Sequence, residues 1–246
     1  MTDYRDKLFV ITGAAGGMGR ALAPLLLGQG ARLLLNDVHA DGLAELAGAL
    51  DAGARVATAV SPLDSLAACR DVVAATDGPI HALVHLAGIM EMDPLDGSDD
   101  REMWHRVIDA NLTNAHDMVA ACLPRLADDP ADPGRIVLLS SMAYRRGAPE
   151  FVAYTVAKGG LAGMVRALSR RLAPGVLVNG LAPGIIDTGL PDKVIALRGE
   201  QILKGIPLAR WGEAEEVTSV IDFLCGPGST YITGQVINVD GGVINS

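Results

Sequence analysis

The sequence predicts an α/β fold: a single-domain, doubly wound, mostly parallel seven-stranded sheet with helices on both faces. Three observations lead there. Seven short apolar runs recur along the chain, helix-length segments separate most of them, and most of the runs are continuously apolar instead of alternating. Continuous apolar runs are what strands covered on both faces require. Regular alternation of strand and helix then favours a parallel sheet. A hydrophobic content of 50% in 246 residues suffices for a large core, and no break in composition divides residues 1–246.

The predicted strands are "LFVIT" at 8–12, "RLLLN" at 32–36, "RVATAV" at 55–60, "IHALVHL" at 80–86, "RIVLLS" at 135–140, "VLVNGLA" at 176–182 and "QVINV" at 235–239. Helical patterns fall at 17–29, 41–50, 64–76, 98–126, 151–173 and 213–225. The last opens on Glu213, Glu215 and Glu216, favourable near a positive helix N-terminus, and stops at "GPG". "ADDPADPG" at 127–134 reads as an acidic surface loop. In this architecture ligands bind beyond the carboxyl ends of the strands, where the strand order reverses.

A formal charge of −9 repels phosphate backbones and anionic lipid, so neither nucleic acid nor membrane is an expected partner. Cys69, Cys122 and Cys225 lack metal-ligand spacing and sit in apolar helical patterns, as buried thiols do; no metal is expected. With neither a secretion signal nor a membrane span in evidence, the expected location is the cytoplasm.

The first strand runs into "TGAAGGMG", residues 12–19, and then into a helix. Gly13, Gly17 and Gly19 would permit a tight turn, close approach to a pyrophosphate, and close packing of helix on strand. Asp37 follows the second strand. A carboxylate there accepts hydrogen bonds from the adenosine ribose hydroxyls and repels a 2′-phosphate. The glycine loop offers Ala14 and Ala15 where a basic residue would serve NADP, and Val38 follows Asp37. The expected cofactor is therefore NAD, not NADP.

In "AYTVAKGGL" at 153–161, Tyr154 stands four residues before Lys158, one helical turn away on the same face. The chain has only four tyrosines and four lysines, so chance rarely produces this spacing. A phenol titrates near pH 10. An ammonium about 4 Å away is worth roughly 4 kcal/mol at an effective dielectric near 20, enough to bring the phenol towards neutrality. The predicted strand before it ends in Ser140 and Ser141, whose side chains point to opposite faces. Only one can reach the tyrosine, and the residues alone do not select it.

Together, "TGAAGGMG", "SS" and "YTVAK" resemble the short-chain dehydrogenase/reductase family. The likeness extends through "NLTNAHDM" at 111–118, "GRIVLLSS" at 134–141, "APGIIDTGL" at 182–190 and "YITGQVINVDGG" at 231–242. It implies a Rossmann-type NAD-dependent oxidoreductase that interconverts a secondary alcohol and a ketone. The implied catalytic residues are Asn111, Ser141, Tyr154 and Lys158, with Ser141 selected by its place thirteen residues before the tyrosine. The resemblance implies cofactor contacts from Gly13, Ala15, Gly17, Met18, Gly19, Asp37, Ser61, Pro62, Leu86, Ala87, Gly88, Tyr154, Lys158, Pro183, Gly184, Ile186 and Thr188. It also implies a homotetramer or homodimer. Tyr154 would take the hydroxyl proton, Ser141 would hold the same oxygen, and Asn111 would bend its helix and hold a water in a relay through the lysine.

Two segments depart from the family pattern. "HLAG" at 85–88 replaces Asn-Asn-Ala-Gly, and His85 is expected to supply the missing structural hydrogen bonds instead of acting in catalysis. Ser61 replaces the acidic residue that usually faces the adenine. The expected substrate wall is Met90, Met92, Met142, Ala148, Phe151, Val194, Ile195, Leu197, Ile202 and Trp211, which suggests an apolar or alicyclic alcohol or ketone. Arg145 and Arg146 are expected on a solvated loop, with contact to an anionic substrate group as the alternative. Two other readings are an NADPH-dependent 3-oxoacyl-thioester reductase acting on a carrier protein and a non-catalytic dinucleotide-binding regulator.

Overall fold

A computed structural model describes residues 2–96, 100–188 and 203–245. Its main sheet contains β1 (Leu8–Thr12), β2 (Arg32–Asp37), β3 (Val56–Val60), β4 (Ile80–His85), β5 (Gly134–Leu139), β6 (Val176–Pro183) and, at the far edge, a last strand, Val236–Val239. The order across the sheet is β3, β2, β1, β4, β5, β6 and then that last strand, and every pairing is parallel. From β1 the chain winds outward to β3, returns to lay β4 on the other side of β1, and winds outward again. The reversal therefore falls between β1 and β4. There the ends Thr12 and His85 stand side by side.

Helices α1 (Gly17–Gly28), α2 (Ala40–Leu50), α3 (Leu66–Ala74), α4 (Arg101–Ile108), α5 (Asn114–Cys122), the short α6 (Ala143–Arg146), α7 (Val152–Leu172) and α8 (Ala214–Cys225) cover the two faces. Strand alternation explains the continuous apolar runs. In β1, Phe9 and Ile11 enter one core with Leu22, Leu26 and Ile221, whereas Leu8 and Val10 enter the other with Val72, Met118 and Leu161. Each such side chain removed from water contributes roughly 1.5–3 kcal/mol before the cost of ordering it.

Element ends shift by a residue or two, the short α6 was not expected, and three further features differ from the sequence-based expectation. The helix predicted over 98–126 is two helices joined by a wider turn of π type at Asp109–Thr113. Two-residue strands, β7 (Ile186–Asp187) and β8 (Gly212–Glu213), pair in parallel outside the main sheet, so the strand Val236–Val239 is β9. Finally, α8 begins one residue later than predicted, with Glu213 and Glu216 forming a reciprocal capping box. Cys69, Cys122 and Cys225 are free and buried. Among the described residues no helix is long and apolar enough to cross a membrane.

Candidate active site at the carboxyl edge of the sheet

The glycine turn leaves β1 at Gly13, whose φ is +66°, and an added Cβ would stand 2.8 Å from the Ala87 nitrogen. At Gly19 an added Cβ would fall 2.4 Å from the Ala14 carbonyl oxygen, so only glycine lets α1 pack this tightly against its own turn. The N-cap of α1, Gly16, has no side chain to cap the helix, and the first turn carries no acidic residue. Its positive end and backbone donors are left for an anion, as a diphosphate requires. Met18 is half-buried on that turn, while Thr188 lies against Gly17, where an added Cβ would meet its Cβ at 2.6 Å.

Asp37 ends β2, 7% exposed. One carboxylate oxygen accepts the Ala15 N–H at 2.9 Å and the other accepts the His39 N–H at 3.0 Å, which fixes the group beside the glycine turn. Each oxygen keeps a lone pair for a further donor. Arg20 enters the same neighbourhood but is engaged by the Ala15 and Gly42 carbonyls and by Glu45. Ser61 donates its N–H to the Asp37 carbonyl, and its hydroxyl accepts the Leu63 N–H across Pro62. These residues fit the adenosine half of a nicotinamide dinucleotide.

At the reversal point, Ala87 N–H donates to the Thr12 hydroxyl, which lies 2.9 Å from His85 Nδ1. Asn114 on α5 lies beside the same imidazole, and burial, with Lys158 adding to it, pushes the His85 pKa down to about 3. The His85 Nε2 and the Asn114 Oδ1 are buried without a hydrogen-bond partner among the described residues. His85 thus ties the end of β4 to the end of β1 through Thr12, a structural part. Thr12, which completes the tie, was not singled out from the sequence.

The serine choice resolves through packing. Ser140 is buried and donates to the Lys158 carbonyl at 2.7 Å. Ser141 faces the cleft, where its hydroxyl accepts the Ala143 N–H and hydrogen-bonds the Tyr154 phenol. Tyr154 and Lys158 project from one side of α7, with the Lys158 amine 5.4 Å from the tyrosine ring centroid. Asn111 sits in the π turn. Its amide donates to the carbonyls of Ile89 at 2.8 Å and Val107 at 2.9 Å, while its Oδ1 is buried without a partner among the described residues. An added Cβ at Gly88 would lie 2.4 Å from that oxygen and 3.3 Å from the Lys158 amine, so the three groups converge.

The electrostatics correct one expectation. Burial raises the Tyr154 phenol above its ordinary value, and the Ser141 hydrogen bond offsets only part of that rise. Lys158 does not bring it towards neutrality. Its amine is itself buried, bonded to the Leu139 carbonyl at 2.9 Å, and pushed down to about 8. The cause is shared desolvation: the enclosure that brings the pair together opposes charge on either member.

Where the nicotinamide contacts are expected, Pro183 closes β6, Gly184 packs against Asp240 and Ile186 is buried in β7, while Leu86 is buried after β4. Among the expected wall residues, Met142, Ala148, Phe151 and Trp211 are half-buried, and Met90 and Met92 are exposed. Val194, Ile195, Leu197 and Ile202 lie outside the described residues. The Arg145 guanidinium lies over the Tyr144 ring and donates to its hydroxyl at 2.6 Å. No cluster able to hold a metal occurs among the described residues.

The family model described as "Enoyl-(Acyl carrier protein) reductase" matches residues 13–244. A cis-4-hydroxycyclohexanecarboxylate dehydrogenase from Sinomonas cyclohexanicum is 36% identical over 97% of each chain. The 3-oxoacyl-[acyl-carrier-protein] reductase FabG of Vibrio harveyi is 34% identical over 98% of each. Among solved structures, a short-chain dehydrogenase/reductase from Brucella melitensis, titled glucose/ribitol dehydrogenase, superposes with a TM-score of 0.93 at 37% identity, covering 100% of this chain and 99% of that one. The Pseudomonas aeruginosa RhlG/NADP complex superposes at 0.86 with 26% identity, covering 98% of each chain. With the fold, the glycine turn and the Ser-Tyr-Lys constellation in place, these likenesses show that the chain is an oxidoreductase of the short-chain dehydrogenase/reductase family.

Proposed function

We propose that this protein is an NAD-dependent dehydrogenase that interconverts a secondary alcohol and a ketone on an apolar or alicyclic substrate. The observation that carries the cofactor choice is Asp37. A fixed carboxylate at the ribose position, with Arg20 already engaged, favours two hydroxyls over a 2′-phosphate. When bound, the nicotinamide ring supplies the hydride acceptor in oxidation and the donor in reduction. The glycine turn, Asp37, Ser61, Leu86 to Gly88, Lys158 and the Pro183–Thr188 stretch would hold the dinucleotide.

The chain's own groups then divide the proton chemistry. Ser141 hydrogen-bonds the reacting oxygen. Tyr154 receives its proton in oxidation and returns it in reduction. Lys158 continues the proton path away from the phenol to a water that the unpartnered Asn111 oxygen would hold. Because burial holds the phenol high, Tyr154 is at rest a proton donor, and oxidation requires added positive charge in the cleft or higher pH.

The ring alcohol named for the Sinomonas relative supports the alicyclic reading. A second reading, reduction of a 3-oxoacyl thioester with NADPH, is supported by the likeness to FabG. One experiment separates them: NADH release over a panel of secondary alcohols, beside NADPH consumption with an acetoacetyl thioester. The proposal expects turnover of cyclic alcohols with NAD and a strong preference over NADP. Thioester reduction with NADPH as the best activity would overturn it. We further propose that residues 1–246 act as one domain and assemble as a homotetramer or homodimer through the helices predicted at 98–126 and 151–173, which are α4, α5 and α7, and through β9.

A further inference from the structure

We propose that Asp93 is a positioning residue, which fixes the start of α7, and with it Tyr154, to the segment that follows β4. The inference rests on the role proposed for Tyr154. Helix α7 opens without help from its own sequence: its N-cap, Phe151, offers no capping side chain, and its first turn has no acidic residue. The cap arrives from far away. Asp93, 8% exposed, accepts the backbone N–H groups of Val152 and Ala153 through one carboxylate oxygen, and its own N–H donates to the Glu150 carbonyl at 2.9 Å. Ala153 is fully buried against Met103 and Val107, with Tyr154 packed beside them. A shift at the first turn therefore has no slack to absorb it before the phenol moves.

The segment that carries Asp93 is tied down at two further points. The Ile89 carbonyl accepts the Asn111 amide, and Glu91 pairs with Arg106 through two hydrogen bonds at 3.0 and 2.6 Å. The Glu91 pair is exposed and weak, whereas the Asp93 contacts are enclosed. Met90 and Met92 are strung between these points, on the side where substrate is expected. Asp93 thus couples the placement of the substrate-side segment to the aim of Tyr154.

The test separates shape from charge. Asp93→Asn keeps an acceptor of the same length, and Asp93→Glu keeps the charge but is one methylene too long. In the cofactor-free protein, Asp93→Glu and Asp93→Ala are expected to speed hydrogen exchange at the Val152 and Ala153 amides roughly tenfold, as loss of a helix cap does. Asp93→Asn should leave that exchange within about twofold. In turnover, Asp93→Glu should lower kcat about 100-fold with little change in KM for NAD, and Asp93→Asn should restore most of it. If Asp93→Ala does not fold, the Asn and Glu pair alone decides. Retention by Glu with loss in Asn would overturn the proposal, as would equal behaviour of the two. Should no alcohol be turned over, the exchange result still stands by itself, so the two readings fail separately.

Discussion

Replacing Lys158 by methionine should make the cofactor-free protein lose one component of its pH-dependent stability while abolishing turnover. Burial holds the Lys158 amine at about 8 against an ordinary 10.5. That gap corresponds to about 3 kcal/mol at 1.36 kcal/mol per pKa unit. The folded pKa is the lower one, so between pH 8 and 10.5 the unfolded chain binds the extra proton and stability rises with pH. Below pH 8 the full penalty stands. Methionine has similar length and no charge, so Lys158→Met escapes this penalty but leaves the Leu139 carbonyl without its donor, at a cost of about 1–3 kcal/mol. The two effects roughly cancel at pH 7. The pH dependence does not cancel. Urea denaturation of both proteins at pH 7 and pH 10.5 should show the stability difference, wild type minus variant, growing by about 3 kcal/mol. The thiols of Cys69, Cys122 and Cys225, pushed up to about 12 by burial, act in the opposite direction in both proteins and drop out of the comparison. Parallel pH profiles would refute the reasoning, because the amine would then not be desolvated.

Three other outcomes follow from the histidines and from Asp37. His85→Leu removes the hydrogen bond between Thr12 and the ring and should cost about 1–3 kcal/mol in denaturation, whereas His85→Asn should cost less than half of that. Burial holds His81 at about 4 and His85 at about 3. Stability should therefore fall as pH drops below 6.5, by about 1.4 kcal/mol per pH unit for each histidine, and His85→Asn should remove one of the two contributions. Asp37→Ala combined with Val38→Arg should raise the NADP-to-NAD ratio of kcat/KM at least tenfold, about 1.4 kcal/mol; an unchanged ratio would show that Asp37 does not set the preference.

The strands were legible because a sheet covered on both faces leaves its hydrophobic record in every residue: Leu8 and Val10 go one way, Phe9 and Ile11 the other. The glycine turn was legible for a related reason, since Gly13 and Gly19 leave no room for a Cβ. The break at Asp109–Thr113 was legible only through the family resemblance, which implies a bent helix at Asn111; hydrophobic spacing did not mark it. Asn111 entered through family resemblance alone. The two serines could not be told apart because a strand fixes alternation but not which face meets the helix; Ser140 meeting the Lys158 carbonyl is a tertiary fact. The spacing of Tyr154 and Lys158 gave proximity correctly and electrostatics incorrectly, since i and i+4 positions say nothing of how dry their surroundings are. Asp93 had no local signal at all: its partners lie 59 and 60 residues away.

The most direct test of the central claim is turnover by Tyr154→Phe, which removes one oxygen from a residue already packed in place. NADH binding, followed by fluorescence, should stay within a few-fold of wild type. With the best alcohol, kcat should fall about 10²–10⁴-fold, the usual contribution of a positioned acid–base group. Turnover within a few-fold of wild type would contradict the account, because the proton would then leave by a route that does not pass through Tyr154.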